Sequence, residues 1–453
     1  MSKPRNIIVI VADSLRYDVV DQGRALLPYL EARAVRFEAA RSAGCWTLPA
    51  TASMFTGLLP HAHGATAQTR GLRDDVPTLA ERLSAAGYRT AQVTGNIATS
   101  DVFGLHRGFD EVRCIWDHVE PRYRRLDQLV VLAGKRRLRA RLFSRDFIMG
   151  RMAGDFRNSK VWLQSTAADV FSQARDLLAE GARAKKGSFL FLNLMETHFP
   201  YHVGLDFGLL GDGLWKKLRE AAALYHLANQ TWLATGQSHI RPDMLEVLRR
   251  RQRESWALIA PLIDDFAREL HQDTGNLVVF CSDHGDNFGE QGWLYHFSNV
   301  TDAGNRVPLY VLPHDGRAPG AVRAPVNAAD LFGLISHAAG LPEGDPRLWE
   351  EPERSLPILS SYWYNNHGKT RPEYRYNQLA FVAGGARYRH RLGRWASAAV
   401  AEGWPEPEFE PLDVGADPIE DAPLPPEQRA ELRAQFKGFR AFSEQIGEGA
   451  PPK

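Results

Sequence analysis

Asp13 follows directly on the apolar run of residues 7–12, and Asp283 and His284 come just after that of 277–281. His198 stands four residues beyond the apolar run of 188–194, in METHFPYH (195–202). In an open α/β sheet, ligands gather beyond the carboxyl ends of strands. A carboxylate there can hold a metal, and adjacent Asp and His suit a divalent ion that accepts both oxygen and nitrogen. Thr47 lies in CWTLPATASMFTG (45–57), at the start of a short helical stretch. A hydroxyl at a helix N-terminus sees the positive end of the dipole, which favours its alkoxide, and faces amides that can hold an anion. His198 could donate to an anionic substrate or protonate a leaving group. Each has a plainer reading: Asp13 and Thr47 as helix N-caps, Asp283 and His284 as loop residues, His198 as a solvated histidine. Together they form a set of nucleophile, metal ligands and proton donor.

These residues need a sheet to position them, and the pattern supplies one. The runs 7–12, 88–94, 188–194, 277–281 and 307–312 read as strands, several of them continuously apolar in the manner of strands buried on both faces. Between them, 77–86, 166–181, 249–273 and 327–339 read as helices, with Gly87 and Gly275 as stops. Strands alternating with helices predict a mixed, mostly parallel sheet flanked by helices, an α/β fold. Residues 116–160 and 203–245 break the rhythm and read as insertions over the active edge. Beyond about residue 350 come short strands and turns, a Pro-rich stretch near 404–426 and a terminal helix near 426–445.

The chain has 453 residues, 44% hydrophobic and 24% charged, which is ordinary for a globular enzyme with a sizeable core. A formal net charge of +1 offers no footprint for nucleic acid, so no nucleic-acid partner is expected. Three widely spaced cysteines, Cys45, Cys114 and Cys281, make neither a disulfide framework nor a thiolate metal site. With no run of ~18 apolar residues to span a membrane and no apolar leader expected, a cytoplasmic location is the expectation. The basic segment 122–151 includes Lys135, Arg136, Arg137, Arg139, Arg141 and Arg145. It reads as a solvated face, or, more sharply, as a lid that draws in an acidic substrate or rests on anionic lipid.

NIIVIVADSLRYD, WTLPATASMFTGLLPHAHG, GYRTAQVTGN, ETHFPY and LVVFCSDHGDNFGEQG, in that order, resemble the successive signatures of sulfatase-like enzymes of the alkaline phosphatase superfamily. NRVPLYVLP, NAADLFGLISHAAGLP and FEPLDVGADPIED resemble later segments of the same family. The resemblance implies a catalytic α/β domain over 1–345 and a smaller C-terminal sheet and helix over 346–453. It implies Asp13, Asp283 and His284 as metal ligands, with Thr47 as metal-bound nucleophile and His198 as the substrate-anion histidine. His296 falls where the family has a lysine or histidine that contacts the ester. Asn96 falls where many members have a lysine, and Ser14 where many have a second metal-binding aspartate; both are expected at the substrate.

The departures from the family pattern direct the chemistry. Sulfatases convert a Cys or Ser in a Cys-x-Pro-x-Arg type motif to formylglycine. Here that position is Thr47, the arginine position is Thr51, and Cys45 lies outside the motif. Threonine is the nucleophile of phosphodiesterase, phosphonate-hydrolase and phosphotransferase relatives, so hydrolysis of a phosphate ester, phosphodiester or phosphonate ester is expected, on a small anionic substrate. The alternatives are a phosphotransferase that passes the group to an alcohol or amine, a sulfatase that works without formylglycine, and a non-catalytic binding protein. No Asp is followed by His four residues later, the pair that two-zinc relatives use, so one divalent ion is expected. The His ligand favours Mn or Zn over Ca or Mg.

Overall fold

The computed structural model describes residues 3–69, 71–115, 165–199, 201, 242–272, 275–296, 299–361, 377–391, 393–400 and 407–446. The basic segment 122–151, the first interruption and residues 203–241 of the second lie outside them. The main sheet has eight strands: β1 (Asn6–Ala12), β2 (Val35–Phe37), β3 (Arg89–Thr94), β4 (Glu111–Cys114), β5 (Ser188–Leu194), β6 (Asn276–Cys281), β7 (Leu309–Leu312) and β8 (Gly320–Val322), in the order β8-β2-β7-β6-β1-β5-β3-β4. Only β7 runs against the others. The mostly parallel α/β sheet read from the sequence is the architecture observed.

Strand β1 is apolar throughout because both of its faces are covered. Ile7, Val9 and Val11 pack with Leu48, Ala52 and Phe55 of helix α1 (Thr47–Thr56), with Leu79 and Leu83 of α2 (Leu79–Ala85), and with residues of α5 (Leu331–Ala338). Ile8, Ile10 and Ala12 pack on the other face with Val170, Phe171 and Ala174 of α3 (Ala167–Arg183), and with Trp256, Ile259 and Phe266 of α4 (Pro242–Gln272). Helix α3 buries Ala167, Val170, Phe171, Ala174 and Leu177, the three-and-four spacing of one helical stripe. Helix α2 is started by Thr78, whose side chain and that of Glu81 form a reciprocal capping box. Among the described residues no helix is long and apolar enough to cross a membrane.

Register delivers the candidate residues to one edge. Val11 pairs with Cys281, so two residues further on Asp13 comes level with Asp283. Ala12 pairs with Leu194 and Thr94 with Asn193, which brings the loops holding Asn96 and His198 to the same edge.

After the main sheet the chain forms a five-stranded antiparallel sheet, β9 (Ile358–Ser361), β10 (Gln378–Ala383), β11 (Ala386–Arg391), β12 (Arg394–Ala399) and β13 (Glu410–Pro411), followed by helix α6 (Pro426–Ile446). Its core of Leu379, Phe381, Leu432 and Phe439 takes in Ala43 and Leu59 of the first part of the chain. It also braces the loop that leads to Thr47: the Ser360 amide donates to the Ala43 carbonyl at 2.9 Å.

Candidate active site

The loop after β3, the start of α1, the end of β1 and the loop after β6 converge on one buried cluster. Asp13, Ser14, Thr47, Asn96, Asp283 and His284 are all buried, none more than 6% exposed. The N-cap of α1 is Trp46, which makes no side-chain cap. Thr47 is the first helical residue, so its hydroxyl does not serve as the cap that the plainer reading required. Oγ1 lies 3.3 Å from His284 Nε2 and 3.5 Å from Asp13 Oδ2. Asn96 donates to Thr47 Oγ1 at 3.1 Å and to Asp13 Oδ2 at 2.7 Å. Its amide is oriented because Oδ1 already accepts from the Ala98 amide. Helix α1 then stops at Gly57, where φ is +70° and a Cβ would stand 2.9 Å from the Phe332 ring.

His284 Nδ1 lies 3.0 Å from the Gly285 carbonyl. A carbonyl only accepts, so the proton is on Nδ1 and the Nε2 lone pair faces the cluster. Nε2 lies 3.4 Å from Asp283 Oδ2 and 3.8 Å from Asp13 Oδ1. Asp283 Oδ1 accepts from the amides of Ser14 and His284, while Oδ2 is buried without a hydrogen-bond partner. Ser14 is held in the left-handed region at φ +60°, and its hydroxyl donates to Asp13 Oδ1 at 3.1 Å.

Two carboxylates at the sheet edge repel one another. Burial and the charge of Asp13 push the Asp283 carboxyl well above the usual range. Burial also pushes Asp13 up, but the facing His198 and His284 and the amides of Asn96 and Asn193 bring it below its ordinary value. An orphaned carboxylate oxygen, a second carboxylate, an imidazole lone pair and a hydroxyl, 3.3–3.8 Å apart where their separations are given, fit a small divalent ion. Four donors about 2.0–2.2 Å from such an ion stand roughly 3.3–3.6 Å from each other in a tetrahedron. Asp13, Asp283 and His284 form a candidate cation cluster on ligand-atom spacing.

His198 is half-buried and His296 buried. Their ring centroids are 5.0 Å apart, and that of His296 is 4.4 Å from that of His284. His198 Nδ1 lies 2.6 Å from the Phe199 carbonyl, and His296 Nδ1 2.6 Å from Asp286 Oδ1. Burial, with His284 and His198 nearby, lowers the His296 pKa well below the ordinary value.

All eight residues singled out in the sequence therefore meet at this edge. Two that were not singled out belong with them. Asn193 donates to Asp13 Oδ2 at 3.2 Å, and its signal was one amide in an otherwise apolar strand. Asp286 holds His296, and its signal was a second Asp just beyond Asp283 and His284.

Comparison with known proteins places this geometry. The family model for sulfatases matches residues 5–341. A choline-sulfatase from Rhizobium meliloti (strain 1021) is 26% identical over 479 aligned residues, covering 96% of this chain and 86% of that one. The phosphonate monoester hydrolase of Agrobacterium radiobacter superposes with a TM-score of 0.61 at 14% identity, over 98% of this chain and 96% of that one. A lipoteichoic acid synthase from Listeria monocytogenes gives 0.60 at 12% identity, over 98% and 92%. These two structures speak for the fold alone. With its motifs in order, its strand ends on one cluster and the family model matched along three quarters of its length, the chain belongs to the sulfatase family and is an ester hydrolase of the alkaline phosphatase superfamily.

Proposed function

We propose that this enzyme hydrolyses a phosphate ester, phosphodiester or phosphonate ester of a small anionic substrate through a covalent phosphothreonine at Thr47, with one divalent ion held by Asp13, Asp283, His284 and Thr47. The observation that carries the reading is the Thr47 hydroxyl, turned away from capping its own helix and into the cluster of Asp13, Asn96 and His284. A metal bound there lowers the pKa of a coordinated hydroxyl and polarises a phosphoryl oxygen.

The chain's own residues do the rest. Asn96 fixes the Thr47 oxygen for in-line attack, a positional gain. His198 or His296 stabilises the leaving oxygen, where charge develops in the transition state. Water then releases the product from Thr47. Ser14 and Asn193 hold the Asp13 carboxylate. Donor separations alone also suit a larger ion in an octahedron, so the choice of Mn or Zn rests on the imidazole ligand. In this reading residues 1–345 form the catalytic unit, and 346–453 the smaller unit that braces the Thr47 loop.

Threonine argues for phosphorus over sulfur because its β-carbon carries a methyl group, so the formylglycine aldehyde cannot be made from it. Cys45 is buried, and burial raises its thiol pKa. The choline-sulfatase relative favours a second reading, sulfate-ester hydrolysis with an unmodified hydroxyl. Turnover of aryl phosphomonoesters, phosphodiesters, phosphonates and sulfates, with bound metal measured in the same samples, separates the two. Adding alcohol or amine acceptors distinguishes hydrolysis from group transfer. Turnover confined to sulfates would overturn the proposal.

A further inference from the structure

Just beyond the Asp283–His284 pair, a short hairpin folds the chain back. Asn287 pairs with Tyr295 and Phe288 with Leu294 in antiparallel register. The next pair outward is therefore Asp286 and His296, and His296 Nδ1 lies 2.6 Å from Asp286 Oδ1. The other carboxylate oxygen accepts from the Tyr201 hydroxyl at 2.5 Å. Arg16 Nη1 donates to the Asp286 carbonyl at 3.0 Å, and the Asn287 side chain to the Tyr295 carbonyl at 2.8 Å. Asp286, His296, Tyr201, Arg16, Asn287 and Tyr295 are all buried. Tyr201 and Tyr295 sit at φ +59° and +56°, a left-handed conformation that an aromatic residue keeps only where its surroundings over-determine it.

From this convergence we propose that Asp286, itself held by Tyr201, is a positioning residue that locks the His296 ring with Nδ1–H bound and Nε2 turned to the ester. His296, not His198, then exchanges the proton with the leaving oxygen and the incoming water. The inference rests on Thr47 as nucleophile. The partners of the two histidines separate their roles. His198 is anchored by a neutral carbonyl, whereas a carboxylate both fixes the tautomer and stabilises the imidazolium. A metal bridging His284, Asp286 and His296, which cluster by spacing, does not account for the contact. Donors about 2.1 Å from one ion lie about 3 Å or more apart, and 2.6 Å is a hydrogen bond.

The protons balance over two steps. The Thr47 hydroxyl proton passes to His296 Nε2; the Thr47 oxygen bonds to phosphorus while the bond to the leaving oxygen breaks, and that oxygen takes the proton from Nε2. Water then returns a proton to Nε2 as its oxygen bonds to phosphorus and the bond to Thr47 breaks, and the Thr47 oxygen takes that proton back. Both groups end as they began.

The test compares Asp286→Asn, Asp286→Ala and the milder Tyr201→Phe with the wild type. Phenyl and 4-nitrophenyl esters of whichever class the wild type turns over are the substrates. Metal content and the 15N NMR signals of labelled histidine are read on the same proteins, with His296→Gln for assignment. The Asp286 variants are expected to lose about 10²–10⁴-fold in kcat on the phenyl ester and less than about tenfold on the 4-nitrophenyl ester, whose leaving oxygen needs no proton. KM and metal content should hold, Tyr201→Phe should lose less and keep the Nδ1–H tautomer of His296 seen in the wild type, and Asp286→Ala should lose that tautomer. Equal losses on both esters, no loss on either, or departure of a second equivalent of metal would overturn it. If the wild type turns over no ester, the Thr47 reading fails by itself; an Nε2–H tautomer at His296 in the wild type still overturns the role of Asp286.

Discussion

Thr47 Oγ1 lies 3.3 Å from His284 Nε2, a residue 237 positions further along the chain. That contact joins the start of a helix to the end of a central strand and sets the hydroxyl beside the two carboxylates of the sheet edge. Because the His284 proton is committed to the Gly285 carbonyl, Thr47 faces a lone pair. The same lone pair that accepts the hydroxyl proton can serve a cation.

Removing the metal should destabilise the protein, and increasingly so as pH rises. Burial and Asp13 push the Asp283 carboxyl well above its usual range, so the metal-free folded state keeps a proton that the unfolded chain has released. Stability from this group is complete below the unfolded carboxyl pKa of about 4 and is lost as pH climbs through the raised value. Asp13 is pushed up by burial, but the neighbouring His198 and His284 and the amides of Asn96 and Asn193 outweigh this and leave it lowered. Its contribution is therefore present above about pH 4 and is lost only in acid. Thermal melts from pH 4 to 8, with and without chelator, should show the metal-free Tm falling away from the loaded one as pH rises. At a hundredfold excess over Kd the metal adds about 2.7 kcal/mol. Parallel curves would contradict the cluster assignment, as would two tightly held metals by elemental analysis.

Asn96→Ala removes donors to both Thr47 and Asp13. Turnover should fall about 10–100-fold, in line with the ~1.5–3 kcal/mol of a hydrogen bond to a charged group. Metal content should stay near one per chain, since the amide is not a ligand. A loss of metal without a loss of turnover per metal-loaded molecule would reverse that order of causes.

Cys45→Ala should keep most of the activity. The thiol is buried and its pKa raised, which disfavours the thiolate that reacts. Intact and peptide mass spectrometry should find position 45 unmodified. An aldehyde at that position, or a folded but inactive variant, would return the protein to the formylglycine sulfatases.

Much of this was legible in sequence because the fold writes its active edge into strand ends. The apolar runs of β1 and β6 stop just short of Asp13 and Asp283, and parallel pairing does the rest. Asn96 and His296 stood out only through the family resemblance, since a loop amide or histidine carries no periodic signal. Asp286 escaped because its partner comes from the pairing of two-residue strands, too short to show alternation. Asn193 was hidden inside the apolar run of β5. Helix α4 starts at Pro242, not 249, and Leu245 and Leu248 of its first turns pack with Tyr201 and Phe288.

Thr47 as nucleophile is put to the test by turnover of metal-loaded Thr47→Ala measured beside its thermal stability, with Thr47→Ser as companion. Loss of the hydroxyl should cost several powers of ten in kcat, as for members of one catalytic unit, while the fold and the other ligands persist. Thr47→Ser keeps the oxygen and should retain measurable activity. A hydroxyl that mattered only to the helix would instead cost about 0.5–2 kcal/mol of stability and leave the chemistry alone. A folded, metal-loaded Thr47→Ala enzyme with near-normal turnover would rule out Thr47 as the nucleophile.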